Sequence, residues 1–173
     1  VGKAIESFYN TNIKKGSNVV VQAHEWQSGN AALYVKKHLP AVGTIFTTHA
    51  TSIGRSIASN GKPLYDYFEG YNGDQMAAEL NIESKQSVEK VTAANIDCFT
   101  AVSEITAREC KQLLERECDV ILENGFEKDF VPVGKDFTAK RNAARKARLR
   151  VAQALTGDTI SDDAIIIGIG GRM

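Results

Sequence analysis

The sequence predicts an α/β fold built on a parallel sheet with helices flanking it. Three observations lead there. Short β-branched runs alternate with longer stretches of helical periodicity, as in βαβ units. The runs are continuously apolar, which suits strands covered on both faces. The 173 residues suffice for one domain with a sizeable core.

The first strand is "NVVVQA" (18–23), short, rich in Val and followed by polar residues. "GNAALYVKKHL" (29–39) reads as a helix with Ser28 as N-cap and Pro40 as its stop. "TIFTTH" (44–49) is the second strand, and a loop-rich aromatic segment covers 59–74. "SKQSVEKVTAANI" (84–96) is helical with Ser84 as cap, and "DCFTAV" (97–102) is the third strand. Ser103 caps "EITARECKQLLERE", whose inner stripe is expected to hold Ile105, Cys110 and Leu113 or Leu114. "DVILENG" (119–125) is a fourth strand ending in the turn pair Asn124-Gly125. A long helix covers about 136–156, polar "LTGDTISDD" (155–163) serves as a linker, and "AIIIGIGGRM" (164–173) is a fifth strand. Rossmann-like parallel sheets of this kind bind ligands beyond the carboxyl ends of their strands. His24 and His49 both fall at such ends.

Lys+Arg and Asp+Glu both number 21, so the formal net charge is zero and gives no reason to expect nucleic acid or an acidic membrane as partner. The charge is segregated all the same. Residues 65–83 are acidic without Lys or Arg, and 140–150, "KRNAARKARLR", are basic. A solvated face is the ordinary reading of such a helix, and docking on an acidic partner domain stays open. Three cysteines without a CxxC pair favour neither a disulfide framework nor a zinc site, which fits a reducing cytoplasm. The three histidines, His38 included, lack HxxxH-type spacing, so no metal is expected. No apolar run approaches the roughly 20 residues of a membrane span.

Chemistry concentrates at two strand ends. In "HEW" (24–26), the Glu25 carboxylate can accept hydrogen bonds from sugar hydroxyls or orient a neighbouring His. Trp26 suits packing on an apolar ligand face. A structural role competes, with Trp26 in the core and His24 on a backbone carbonyl. In "TTHATSIGR" (47–55), His49 sits among Thr47, Thr48 and Thr51, and Arg55 follows six residues on. The planar fork of an Arg matches phosphate oxygens, so a His for a hydroxyl and an Arg for a phosphate suit a nucleotide sugar. The competing reading pairs Arg55 with the acidic segment. "GIGGR" (168–172) is not a dinucleotide fingerprint, because position 173 is Met and no helix follows. Its glycines still permit close backbone approach to a phosphate, with Arg172 alongside.

"HEWQSGNAALYVKK", "TIFTTHATSIGR", "DCFTAVSEITARE" and "VILENGF" together resemble the glycogen synthases of the animal and fungal type, glycosyltransferase family 3. The resemblance runs from about residue 19 to 126, with a weaker echo in "IIIGIGGR". "TTHAT..GR" is its most specific segment; "HEW" and "VSxIT" are more generic.

The resemblance implies a retaining GT-B enzyme with two Rossmann-like domains facing across a cleft. It implies transfer of glucose from a nucleotide sugar, UDP-glucose, to the non-reducing end of an α-1,4-glucan, without metal or cofactor. It assigns catalytic roles to His49, beside the transferring glucose, and to Glu25, an acid of the sugar cleft, and it assigns Arg55 and Arg172 to the donor phosphates. His24, Trp26 and Thr48 join Glu25 as cleft-lining residues. Residues 1–160 are then the acceptor-side domain, incomplete at its start. Residues 161–173 are a linker and the first strand of the donor-side domain. A fragment of this kind is expected to be inactive alone, with the rest of its own chain as partner; a homo-oligomer stays open. The competing functions are a non-catalytic carbohydrate- or nucleotide-binding module and another GT-B enzyme, such as a starch or sucrose synthase.

Overall fold

The computed structural model describes residues 1–125, 127 and 131–167. Two compact units are present, 1–124 and 125–173. In the first, α1 (Gly2–Asn12) precedes β1 (Val20–His24), α2 (Glu25–His38), β2 (Gly43–Thr48) and α3 (Ser52–Ser59). A short 3-10 turn (Phe68–Gly70) leads to α4 (Gly73–Glu79), α5 (Glu83–Asn95), β3 (Cys98–Ala101), α6 (Glu104–Leu113) and β4 (Val120–Ile121). The second unit holds α7 (Lys135–Thr156). No helix among the described residues is long and apolar enough to cross a membrane.

The four strands form one all-parallel sheet in the order β1-β2-β3-β4, so the fold is the expected α/β class. Two carboxylates fix the strand starts. Asp97 accepts from the Thr44 N–H (2.9 Å) and hydroxyl (2.6 Å) and pairs with Lys36 of α2. The Lys36 ammonium, helped by the Thr44 donors, holds its carboxyl down at about 2. Asp119 accepts from the Phe99 N–H at 2.7 Å and pairs with Arg116. With register set at the entry of β2 and β3, their exits fall level: His24 pairs with Thr47, and Thr48 with Ala101.

The core lies where this sheet meets α2, α5 and α6. Phe46 and Phe99 stack with centroids 5.8 Å apart, amid Ala32, Ala93, Ile96, Cys110 and Leu114. Each buried Phe contributes about 1.5–3 kcal/mol by leaving water. A second cluster joins Ile53 and Ile57 of α3 to Phe68, Met76, Ala77 and Leu113. Gly73 opens α4 against the end of α6, where a Cβ would lie 1.9 Å from the Leu113 carbonyl oxygen. Only glycine allows that approach.

Several boundaries differ from the sequence expectation. The helix expected from residue 29 begins at Glu25, directly after β1, with His24 in the capping position. Ser28 is therefore inside the helix, and its hydroxyl donates back to the His24 and Glu25 carbonyls. Ser84 is not a cap either; α5 begins at Glu83 without a side-chain cap. Ser103 does cap α6, accepting from the Thr106 N–H at 3.1 Å. Ile105, expected on the inner stripe of α6, is 57% exposed, and the buried face is Thr106, Glu109, Cys110 and Leu113. Burial on both faces holds for β2 and β3 more than for β1 and β4, whose edge positions leave Val20, Val120 and Ile121 exposed. The fourth strand is two residues long, and 164–167 of the expected fifth strand are irregular. The remainder of that strand, 168–173, lies outside the described residues.

Candidate functional site

The exits of β1 and β2 lie side by side, and the residues that follow them form a rim. His24 ends β1, and its Nδ1 lies 3.0 Å from Nε2 of His49, just beyond β2. One of these nitrogens carries the proton and the other accepts it, so the rings hold each other in place. Among the described residues, this contact is the hydrogen bond the two rings make, which leaves their outer nitrogens to meet ligand hydroxyls.

Glu25 connects this pair to α3. Its Oε1 accepts from the His49 backbone N–H at 2.9 Å and faces Arg55 Nη2 at 3.5 Å. Glu25 adopts φ 62°, the left-handed region. That conformation costs a non-glycine residue of order 1–3 kcal/mol and recurs at functional sites. Here it turns the chain from strand to helix within one residue and swings the carboxylate across to β2. Arg55 is 61% exposed at its side chain, and an ion pair so long and so wet contributes little to stability. The guanidinium is therefore available to a stronger anion.

Beneath the rim, two buried carboxylates clamp residues 48–52. Glu89 of α5 accepts from the Ser52 N–H (2.8 Å), the Ser52 hydroxyl (2.6 Å) and the Thr48 hydroxyl (3.3 Å). Burial raises its pKa, against the lowering effect of those donors. Glu109 of α6 accepts from the Thr51 hydroxyl (2.9 Å) and the Tyr65 hydroxyl (2.7 Å). Thr51 in turn caps α3 through the Gly54 N–H. A carboxylate at a helix N-terminus also satisfies otherwise orphaned amides and favours the helix dipole. His49 is thus held from both sides, with the Thr106 hydroxyl 3.5 Å from its carbonyl.

The structure brings together His24, Glu25, His49 and Arg55 from β1, α2, the β2 exit and α3. Thr48 is fully buried and supports the rim from below through Glu89. Trp26 is half-buried; its cationic neighbour is Lys85 of α5, 5.7 Å from the ring centroid, not a rim residue. His38 stacks on Tyr34 (centroids 4.1 Å apart) within α2. Arg172 lies outside the described residues. Among the described residues, no cluster of His, Cys, Asp or Glu is placed to hold a metal ion.

Sequence reasoning missed Glu89 and Glu109. Both sit on buried helix faces, where a hydrophobic template reads only the apolar positions. A signal existed for Glu109, which falls at i+3 in the stripe Thr106, Glu109, Cys110, Leu113.

Residues 1–153 match the model of the Glycogen synthase family. The chain is 42% identical over 110 residues to a Glycogen [starch] synthase of Dictyostelium discoideum, covering 64% of the chain and 12% of that protein. It is 37% identical over 111 residues to the human liver Glycogen [starch] synthase, covering 64% of the chain and 16% of the relative. It is 40% identical over 109 residues to Glycogen [starch] synthase isoform 2 of Saccharomyces cerevisiae, covering 62% and 16%. The matched region thus spans less than a fifth of the length of these curated relatives. A match over most of its residues places the chain in the glycogen synthase family.

Proposed function

We propose that this chain supplies one wall of a glucosyl-transfer site. The whole polypeptide moves glucose from a nucleotide sugar, UDP-glucose, to the non-reducing end of an α-1,4-glucan with retention of configuration. In this reading residues 1–160 belong to the acceptor-side domain and 161–173 begin the donor-side domain. Three free thiols accord with a reducing cytoplasm.

The observation that carries the proposal is the convergence on Glu25 Oε1 of the His49 N–H and the Arg55 guanidinium, beside the His24–His49 pair. Transfer builds positive charge on the sugar and negative charge on the departing diphosphate. Arg55 neutralises the diphosphate without a metal, and charge stabilisation of this kind often supplies most of an enzyme's rate enhancement. His49 positions the glucose for attack, with Glu25 fixing its backbone. His24 and Trp26 line the sugar cleft, and Thr48 supports it from below.

The test is glucose incorporation into glycogen by the full-length polypeptide, offered UDP-glucose, ADP-glucose and GDP-mannose in parallel. The expected result is new α-1,4-linked glucose from UDP-glucose. Absence of incorporation from every donor would overturn the reading.

A further inference from the structure

We propose that Cys110 and Cys118 form a reversible redox site, a dithiol that hydrogen peroxide converts to a disulfide joining α6 to the entry of β4. The site stands independently of the transfer reading.

The connection from α6 to β4 folds back on itself. The Leu114 and Arg116 N–H groups both donate to the Cys110 carbonyl, at 2.9 and 3.4 Å, and Glu115 between them takes φ 57°. Beyond this turn Asp119 is fastened to β3. Its N–H donates to the Phe99 carbonyl at 2.8 Å, and its carboxylate accepts from the Phe99 N–H at 2.7 Å. Cys118 lies between these two anchors and packs on the core cluster that contains Cys110. The thiols are therefore brought together by backbone already held on either side. Strand alternation sends Cys98 to the opposite face of the sheet from Phe99, which packs in that same cluster, so Cys98 is not a third member.

The two thiols are unequal, as such a site requires. Cys110 is fully buried, whereas Cys118 is half-buried and open to a small oxidant. A hydrogen bond from the Cys110 thiol holds Cys118 below its ordinary value; Arg116 adds to this, against burial and Asp119. The same bond, with burial and the nearby Glu89 and Glu109, pushes Cys110 up. Thiolate is the nucleophilic form of cysteine. Cys118 is thus the attacking sulfur and Cys110 the resolving one.

The Cys118 thiolate attacks one peroxide oxygen. The O–O bond breaks, and the departing hydroxide takes up a proton to leave as water. Cys118, oxidised by two electrons, is now a sulfenic acid. The Cys110 sulfur attacks it, an S–S bond forms and the S–O bond breaks. The Cys110 proton leaves with that hydroxide as a second water. A resolving thiol so close captures the sulfenic acid before more peroxide carries it to the irreversible sulfinic acid. Transient, redox-sensing disulfides are the kind a reducing cytoplasm permits. The bond would tie the helix that carries Glu109, and through it Thr51 and Tyr65, to the edge of the sheet.

The test is peptide mapping of the full-length polypeptide after hydrogen peroxide, with free thiols alkylated before digestion. Trypsin cuts after Arg108, Lys111, Arg116 and Lys128, so Cys110 and Cys118 fall on separate peptides. The expected product is peptide 109–111 joined to peptide 117–128, lost on adding dithiothreitol and retained in Cys98→Ala. In Cys110→Ala, Cys118 should instead be labelled by dimedone and pass to a sulfinic acid that dithiothreitol does not restore. Recovery of both wild-type peptides alkylated after peroxide would overturn the site, whether or not the variants fold. So would a linkage that Cys98→Ala abolishes, or Cys118 reaching the sulfinic acid as readily in wild type as in Cys110→Ala.

Discussion

His49→Ala in the full-length polypeptide is expected to lower glucose transfer roughly a hundredfold or more, the scale of losing one contact made in the transition state. The substitution is clean because the Glu25 interaction uses the His49 backbone N–H, which alanine keeps. The loop remains clamped through Thr48, Thr51 and Ser52. Only the ring and its 3.0 Å contact with His24 are lost. The fall should therefore appear in kcat, with circular dichroism and melting temperature close to wild type. Initial rates at saturating UDP-glucose and glycogen measure it, and an unchanged kcat would remove His49 from the reaction.

Glu89→Ala is expected to destabilise the fold by roughly 3 kcal/mol or more, because it strands three donors, each costly to leave unpaired in the interior. Those donors are the Ser52 amide and the Ser52 and Thr48 hydroxyls. Denaturant titration reads the loss. Glu89→Gln keeps the volume but presents N–H where an acceptor is needed, so its loss should be smaller than that of alanine. The pH dependence has a definite sign. Burial raises the folded pKa of Glu89, so the native state holds its proton more tightly than the unfolded chain. The Glu89 contribution is full at acid pH and declines as pH rises through the folded value. The gap between wild type and Glu89→Gln should accordingly narrow with rising pH. Since Ser52 opens the helix that carries Arg55, Glu89 positions the site without touching substrate.

The sheet was legible because its strands are short β-branched runs punctuated by polar residues, a pattern local to each segment. The placement of His24 and His49 at strand exits followed directly. The start of α2 was not legible. Helical propensity pointed to the stretch after Ser28, whereas tertiary contacts drew Glu25 into a left-handed first position. The orientation of α6 failed for a related reason: Ile105 is the more apolar residue, yet the buried face carries Glu109, because Thr51 and Tyr65 supply hydrogen bonds that make a buried carboxylate tolerable. Partners so distant in sequence leave no periodic trace. The same holds for the join between the aromatic segment and α6, visible only once Tyr65 meets Glu109.

Arg55 offers the cleanest view of whether these scattered residues serve one reaction. Its guanidinium is mostly in water and only loosely paired with Glu25, so removing it should leave stability within about 0.5 kcal/mol. Glucose transfer from UDP-glucose by full-length Arg55→Ala should nonetheless fall roughly a hundredfold or more. Transfer at the wild-type rate in that variant would show that the rim of Glu25, His49 and Arg55 does not act on a donor phosphate.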